Sequence, residues 1–276
     1  LEQKINIHET AFVTAAFRAG DPVLSMDPFA NLWANEAANE HAQRYSRAVS
    51  SYEALAHRLR NRYFYDTFKT LIKENKIEVL MNFGCGFSMY PFILDPAVLY
   101  VEIDTEDVIL FKQEKTTQLQ DEGVLPYRDI QFVSANFNAP FLDELYQSLS
   151  PICKGKKTFI LIEGVLFFLG TDDTTRLFQL FSRLQNANDF VGSVSFQPSL
   201  EKQKVFKRLI EFVEVNLEKN QQFNYQTVPD NFYVSTEGYE LIDHQDTISL
   251  AACYKPDITL AKEEILNEHM YLLQKH

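Results

Sequence analysis

Ile77-Glu78-Val79-Leu80-Met81-Asn82-Phe83-Gly84-Cys85-Gly86-Phe87 runs an apolar strand straight into a two-glycine turn. A second apolar strand, Val98-Leu99-Tyr100-Val101-Glu102-Ile103-Asp104, ends in carboxylates, with Asp104 twenty residues beyond Gly84. This pairing suits a nucleoside ligand, because glycines let the backbone approach closely and a carboxylate accepts hydrogen bonds from ribose hydroxyls. The third glycine of the dinucleotide fingerprint is missing, Met89 standing in its place, which points away from NAD.

Outward from this stretch, strands alternate with helices. The apolar patterns predict strands over Ile77–Phe83, Val98–Asp104, Ile130–Ala135, Thr158–Glu163 and Asp189–Phe196. Between them fall helices near Tyr90–Leu94, over Glu106–Leu119 and Leu142–Leu149, and over Asp172–Leu184 with Thr171 or Asp172 as N-cap. Such alternation implies a parallel sheet covered on both faces. The first 75 residues read as helical, over Glu9–Ala19, Pro28–Glu40 and about Ser51 to Glu74. After a polar amphipathic segment, Leu200–Lys219, the close pair Tyr239–Gln245 and Thr247–Tyr254 reads as an antiparallel hairpin, and Ala261–Leu273 as a final helix.

In an open sheet of this kind ligands sit beyond the carboxyl ends of the strands, at the point where strand order reverses. That rule selects the turns at Gly84–Phe87, Glu102–Asp104, Asn136–Phe137 and Glu163–Val165.

With 276 residues, 46% hydrophobic and 23% charged, the chain has the composition of a soluble globular protein. Its formal net charge of −12 repels a polyanion, so nucleic acid is not the expected partner. Three dispersed cysteines, Cys85, Cys153 and Cys253, read as reduced thiols, and no His or Cys spacing suggests a metal site. The longest apolar run, Phe159 to Leu169, is broken by Glu163 and too short to span a bilayer. The opening residues are polar, without a signal-peptide core, so the expected location is cytoplasmic. With Leu1 first, an upstream segment is expected to have been removed.

Five motifs, in order, resemble the leucine carboxyl methyltransferase family, and within it the tetracenomycin-type polyketide O-methyltransferase branch. They are Glu9-Thr10-Ala11-Phe12-Val13-Thr14-Ala15-Ala16-Phe17-Arg18-Ala19, Asp27-Pro28-Phe29-Ala30, Arg60-Asn61-Arg62-Tyr63-Phe64-Tyr65-Asp66, Glu102-Ile103-Asp104 with Val108-Ile109 and Lys112, and Glu163-Gly164-Val165-Leu166-Phe167-Phe168-Leu169. The chain departs from the family pattern at Asn82 and Asn136, where relatives carry Asp, and at Ser88-Met89-Tyr90, where they carry Asp-Thr-Arg. The resemblance implies a class I, Rossmann-like methyltransferase. Its fold is a doubly wound, mostly parallel seven-stranded sheet with an antiparallel C-terminal hairpin and a helical N-terminal cap. The corresponding division is 1–75 for the cap and 76–276 for the core, with a lid insertion at 198–235. The implied cofactor is S-adenosylmethionine.

The expected cofactor site comprises Arg60, Gly84, Cys85, Gly86, Glu102, Asp104, Asn136, Phe137 and Glu163. Gly84 and Gly86 alone would read as an ordinary tight turn, with Cys85 a small filler. Glu102 and Asp104 share a strand face by two-residue alternation, and the resemblance favours Asp104 for the ribose. The resemblance assigns Arg60 to the methionine carboxylate, which a planar guanidinium fork matches. A charge at Glu163 inside an apolar run is costly unless partnered, which suits the methionine ammonium. Asn136 can accept from the adenine amino group, and Phe137 can lie beside the adenine ring. His41, His57 and His244 are the candidates for a general base, each weighed against an ordinary surface or structural histidine. Phe196, Phe206, Phe212 and Tyr225 are candidates for an acceptor pocket.

The expected reaction is in-line transfer of the methyl group to a small-molecule carboxylate or hydroxyl oxygen. With no base motif in evidence, the balance leans towards a carboxylate or an acidic phenol. An acyl-carrier or protein partner is a further expectation. The rival readings are a protein C-terminal carboxyl methyltransferase and a degenerate S-adenosylmethionine-binding protein without turnover.

Overall fold

The structure is a computed structural model that describes residues 9–137, 142–216 and 224–276. Helices α1 (Glu9–Ala19), α2 (Pro22–Ser25), α3 (Glu36–Ala48) and α4 (Glu53–Asn75) come first. The alternating part follows as β1 (Val79–Phe83), α5 (Tyr90–Ile93), β2 (Leu99–Asp104), α6 (Glu106–Asp121), β3 (Ile130–Ser134), α7 (Leu142–Cys153), β4 (Thr158–Ile162), α8 (Thr171–Leu184) and β5 (Phe190–Phe196). The chain then runs through α9 (Lys204–Asn216), α10 (Asp230–Val234), β6 (Tyr239–Asp246), α11 (Thr247–Tyr254) and β7 (Glu268–Lys275).

Among the described residues seven strands form one sheet in the order β3-β2-β1-β4-β5-β7-β6. The first five are parallel, and β7 runs antiparallel to both β5 and β6. Strand order reverses between β1 and β4, whose residues pair in register from Val79↔Thr158 to Phe83↔Ile162. Both strands are buried at every position, which is why they read as continuous apolar runs.

Side chains alternate across the sheet and fill two cores. Met81, Phe83, Ile160 and Ile162 face Leu145, Leu149, Leu177 and Phe181 of α7 and α8. Leu80, Tyr100, Phe159 and Phe190 face Leu59, Tyr63, Phe64 and Phe68 of α4. That docking lays α4 across the sheet, so its first turns reach the carboxyl ends of the central strands. Among the described residues no helix is long and apolar enough to cross a membrane.

The expected fold class is present, with local corrections. The antiparallel C-terminal pair is built from β6 and β7, not from Thr247–Tyr254, which is helical. Asp246 caps Ser249 N at 2.7 Å while Ser249 Oγ accepts from Asp246 N, a reciprocal box that starts α11. The expected helix Ala261–Leu273 instead contributes most of β7. Lying between two strands, β7 is buried along much of its length, and so lacks the alternation that marks a half-exposed strand.

Near the N-terminus the expected helix Pro28–Glu40 is split. A short 3₁₀ turn covers Ala30–Leu32, and Asn35 starts α3 by accepting from Ala38 N at 2.8 Å. Gly170, rather than Thr171 or Asp172, is the N-cap of α8, while Asp172 and Asp173 occupy its first turn. Of the segment Leu200–Lys219, residues 217–219 lie outside the described residues, as do 217–223 of the expected lid and 1–8 of the expected cap.

Candidate functional site

The turn after β1 folds back over the end of β2. Gly84 N and Cys85 N both donate to Ile103 O, at 2.8 and 3.1 Å. Gly84 has φ +76°, and a Cβ there would lie 2.0 Å from Val165 Cγ2, so a side chain at this position collides with the turn after β4. The two turns touch at the reversal point of the sheet. Gly86 N donates to Asp104 Oδ2 and Thr105 N to Oδ1, both at 2.8 Å, fixing the carboxylate plane under the turn. Burial raises the Asp104 pKa, against the lowering effect of those two N–H donors.

A cavity of about 270 Å³ lies here, lined among others by Gly84, Cys85, Gly86, Asp104, Phe137 and Glu163. Arg60 lines it as well. Seven of the nine expected residues therefore share one space. The other two stand apart. Glu102 is fully buried and paired with Lys112 on α6, and it does not line the cavity. Asn136 is exposed and also outside the lining. Burial raises the Cys85 thiol well above its usual range, which keeps it neutral and agrees with a filler rather than a nucleophile.

Arg60 is 5% exposed and held by two carboxylates. Its Nε donates to Glu163 Oε1 at 2.8 Å, and Nη1 to Glu268 Oε1 at 2.5 Å. Burial opposes its charge, but Glu268 and Glu163 more than offset this and raise its pKa. Tyr90, standing where the family pattern has arginine, donates its hydroxyl to Glu163 Oε2 at 3.1 Å. Asn82 and Ser88, two further departures, bond to each other, Asn82 Nδ2 donating to Ser88 Oγ at 2.8 Å. Asn82, Ser88 and Tyr90 thus each have a side-chain partner, in two separate pairs.

Sequence reasoning missed Arg18 and Glu268. Arg18 is buried, donates to Asp27 Oδ2 at 3.0 Å and to Phe87 O at 2.8 Å, and lines the cavity beside the turn. It stands within the opening-helix motif, so the signal was there. Glu268 carried none, because its strand read as helix.

A second cavity, of about 210 Å³, adjoins the first, sharing Thr10, Thr14, Arg60, Gly164 and Phe168 in its lining. Glu53, His57 and Arg60 reach it from successive turns on one face of α4. His57 stacks on Phe17 with ring centroids 5.1 Å apart, and its Nε2 lies 3.9 Å from Glu53 Oε2. Burial, with Arg60 and Arg18 nearby, pushes the His57 pKa well below its ordinary value. Burial also pushes Glu53 up to about 8, helped by the charge of Glu268, while a hydrogen bond from Tyr45 opposes the rise.

His41 lines this cavity too, its Nδ1 3.0 Å from Arg44 Nη2. His244 does not line either cavity: it lies on β6, with Nε2 2.9 Å from His269 Nδ1 and 3.7 Å from Asp230 Oδ1. Of the four aromatic candidates, Phe196 and Phe212 line the second cavity. Phe206 and Tyr225 pack on each other behind it, with centroids 5.3 Å apart.

A family model described as leucine carboxyl methyltransferase matches residues 9–182, which carry the glycine turn, Arg60, Asp104 and Glu163. Among curated proteins, none matches the chain. Among solved structures, a candidate methyltransferase from Thermobifida fusca superposes with TM-score 0.67 at 14% identity, covering 99% of this chain and 96% of its own. A DUF574 family protein from Streptomyces avermitilis gives 0.65 at 13% identity, with 97% of each chain covered. Magnesium protoporphyrin IX methyltransferase from Synechocystis PCC 6803, solved with bound SAH, gives 0.50 at 10% identity, covering 86% of this chain and 94% of its own. At these identities the structures bear on the fold, whereas the family model spans more than half of the sequence. The chain belongs to the leucine carboxyl methyltransferase family, whose members are S-adenosylmethionine-dependent enzymes.

Proposed function

We propose that the cavity under the Gly84–Gly86 turn holds S-adenosylmethionine, and that the adjoining cavity holds a small molecule whose hydroxyl or carboxylate oxygen receives the methyl group. The observation that carries this is the meeting of the two cavities at Arg60, Gly164 and Phe168. A donor and an acceptor placed there face one another without passing through solvent.

The residues present fit the cofactor. Gly84 and Gly86, both at positive φ and both lining the cavity, let the backbone approach a nucleoside closely, and Asp104 offers a half-buried carboxylate to ribose hydroxyls. Phe137, 7% exposed, supplies an apolar wall for adenine. Arg18 and Arg60 place positive charge for the methionine carboxylate, and Glu163 places negative charge for the ammonium. Glu102 has no such part, since its charge is spent on Lys112. When bound, the cofactor supplies an electrophilic methyl group on a sulfonium. The protein's work is in-line positioning and exclusion of water, an effect of roughly 7–11 kcal/mol in well-oriented systems.

Calorimetry with S-adenosylhomocysteine tests the first half: saturable one-site binding is expected, and none at millimolar ligand would end the reading. Transfer of a tritiated methyl group to small acids and phenols, set against a peptide ending in leucine, tests the second. Labelling of the peptide alone would assign the activity to protein carboxyl groups instead.

A further inference from the structure

Asp230, His244 and His269 come together from α10, β6 and β7 near the antiparallel edge of the sheet. His244 Nε2 lies 2.9 Å from His269 Nδ1 and 3.7 Å from Asp230 Oδ1. One metal-ligating atom from each of the three residues falls within 4.8 Å of the other two. None of the three lines either cavity. His269 follows Glu268, the partner of Arg60, and alternation along β7 turns the two side chains to opposite faces of the sheet. The cluster therefore stands apart from the site described above.

The separations match a small divalent ion. Zinc bonds imidazole nitrogen and carboxylate oxygen at about 2.0–2.2 Å, so a tetrahedral ion holds its donors roughly 3.3–3.6 Å apart. Both observed separations lie within about 0.4 Å of that span, a gap that small side-chain rotations close. The ligands are also held in place. Tyr271 stacks on the His244 ring, with centroids 4.4 Å apart and 12° between the planes, and its hydroxyl donates to Asp230 Oδ1 at 2.6 Å. Gln197 Nε2 donates to the same oxygen at 2.5 Å. Outer partners of this kind orient metal ligands before the ion arrives. His244 is exposed and the other two are half-buried, so an ion enters from solvent.

We infer that Asp230 Oδ1, His244 Nε2 and His269 Nδ1 form a zinc site, with water in the fourth position. The ion takes the Oδ1 lone pair that the Gln197 amide fills, and the Tyr271 bond remains. Two imidazoles and one carboxylate suit zinc, whereas calcium and magnesium call for six or more oxygen ligands. The role is structural. Asp230 starts α10 in the connection between β5 and β6, so the ion clasps that connection to the two terminal strands. Residue spacing gave no sign of the site, because the ligands come from three separate elements.

Chelator-treated protein is titrated with zinc chloride by calorimetry at neutral pH. One zinc per chain is expected, with a micromolar or tighter Kd, and calcium and magnesium should give no binding. The melting temperature should rise with zinc concentration, as it does for any ion that binds only the folded chain. Loss of an outer partner costs such sites about 10–100-fold in affinity, so loss of a ligand should cost at least about tenfold. His244→Ala, which removes an exposed side chain, and Asp230→Asn, which keeps its shape, are the variants to measure. No saturable binding at micromolar zinc overturns the inference and leaves the two rings sharing only a proton. Zinc binding that both variants leave unchanged overturns it as well, because the ion then sits elsewhere, and so does uptake of calcium or magnesium in place of zinc.

Discussion

Arg60 Nε and Glu163 Oε1 lie 2.8 Å apart although the residues are 103 positions apart in the chain. The bond ties the first helical layer to the turn after β4, at the place where the two cavities meet. Arg60→Ala would leave Glu163 and Glu268 buried without their shared counter-charge, at a cost of about 3–5 kcal/mol. Chemical denaturation is the measurement. The double variant Arg60→Ala/Glu268→Gln should recover part of that loss, because one stranded charge is gone; strictly additive effects would argue against the shared pairing.

Gly84→Ala places a methyl group 2.0 Å from Val165 Cγ2 and strains a φ of +76°. The melting temperature should fall and S-adenosylhomocysteine affinity should drop in the fraction that folds. Adding Val165→Ala relieves the collision but not the strain, so recovery should be partial.

Asp104→Asn retains the shape but removes the charge that Gly86 N and Thr105 N now stabilise. A lost hydrogen bond to a charged group is worth about 1.5–3 kcal/mol, so affinity for S-adenosylhomocysteine should weaken roughly 10- to 150-fold by calorimetry.

Glu102→Gln is the contrasting case. It strands the buried Lys112 ammonium and should lower the melting temperature by several degrees. Affinity measured on folded protein should stay within about twofold of the parent. A large loss of affinity would place Glu102 in the cofactor site after all.

Glu53 should leave a signature in the pH dependence of stability. Its folded pKa of about 8 exceeds the ordinary 4.5, so the folded chain holds a proton that the unfolded chain has lost. The stability from this group is complete below pH 4.5 and declines as pH rises through 8. His57 acts oppositely, its lowered pKa making the fold lose stability as pH falls below 6.5. Between pH 7 and 9 Glu53 therefore dominates this pair, and Glu53→Gln should flatten the decline of melting temperature seen in the parent. Parallel curves would show that Glu53 ionises normally.

How much of this was legible in the sequence depended on range. Gly84 and Gly86 could be read because a backbone turn that tight shows itself in residue type. The parallel strands could be read because burial on both faces leaves continuous apolar runs, as in Thr158–Ile162. The same property misled at β7, where continuous burial imitated a helix. Glu102 and Asp104 were indistinguishable by alternation; what separates them is depth. Asp104 stands at the end of β2, under the turn, while Glu102 lies two residues further in, where α6 covers it with Lys112.

Sequence by itself determined the alternation of strands and helices, the glycine turn and the family, since these rest on local residue type and spacing. Only the tertiary structure decided that Glu53, His57 and Arg60 face a cavity, that Glu268 shares Arg60 with Glu163, and that Tyr90 completes that group. Each of these pairings joins elements far apart in the chain, and their energies arise from desolvation and charge in a space that exists only once α4 has packed across the sheet.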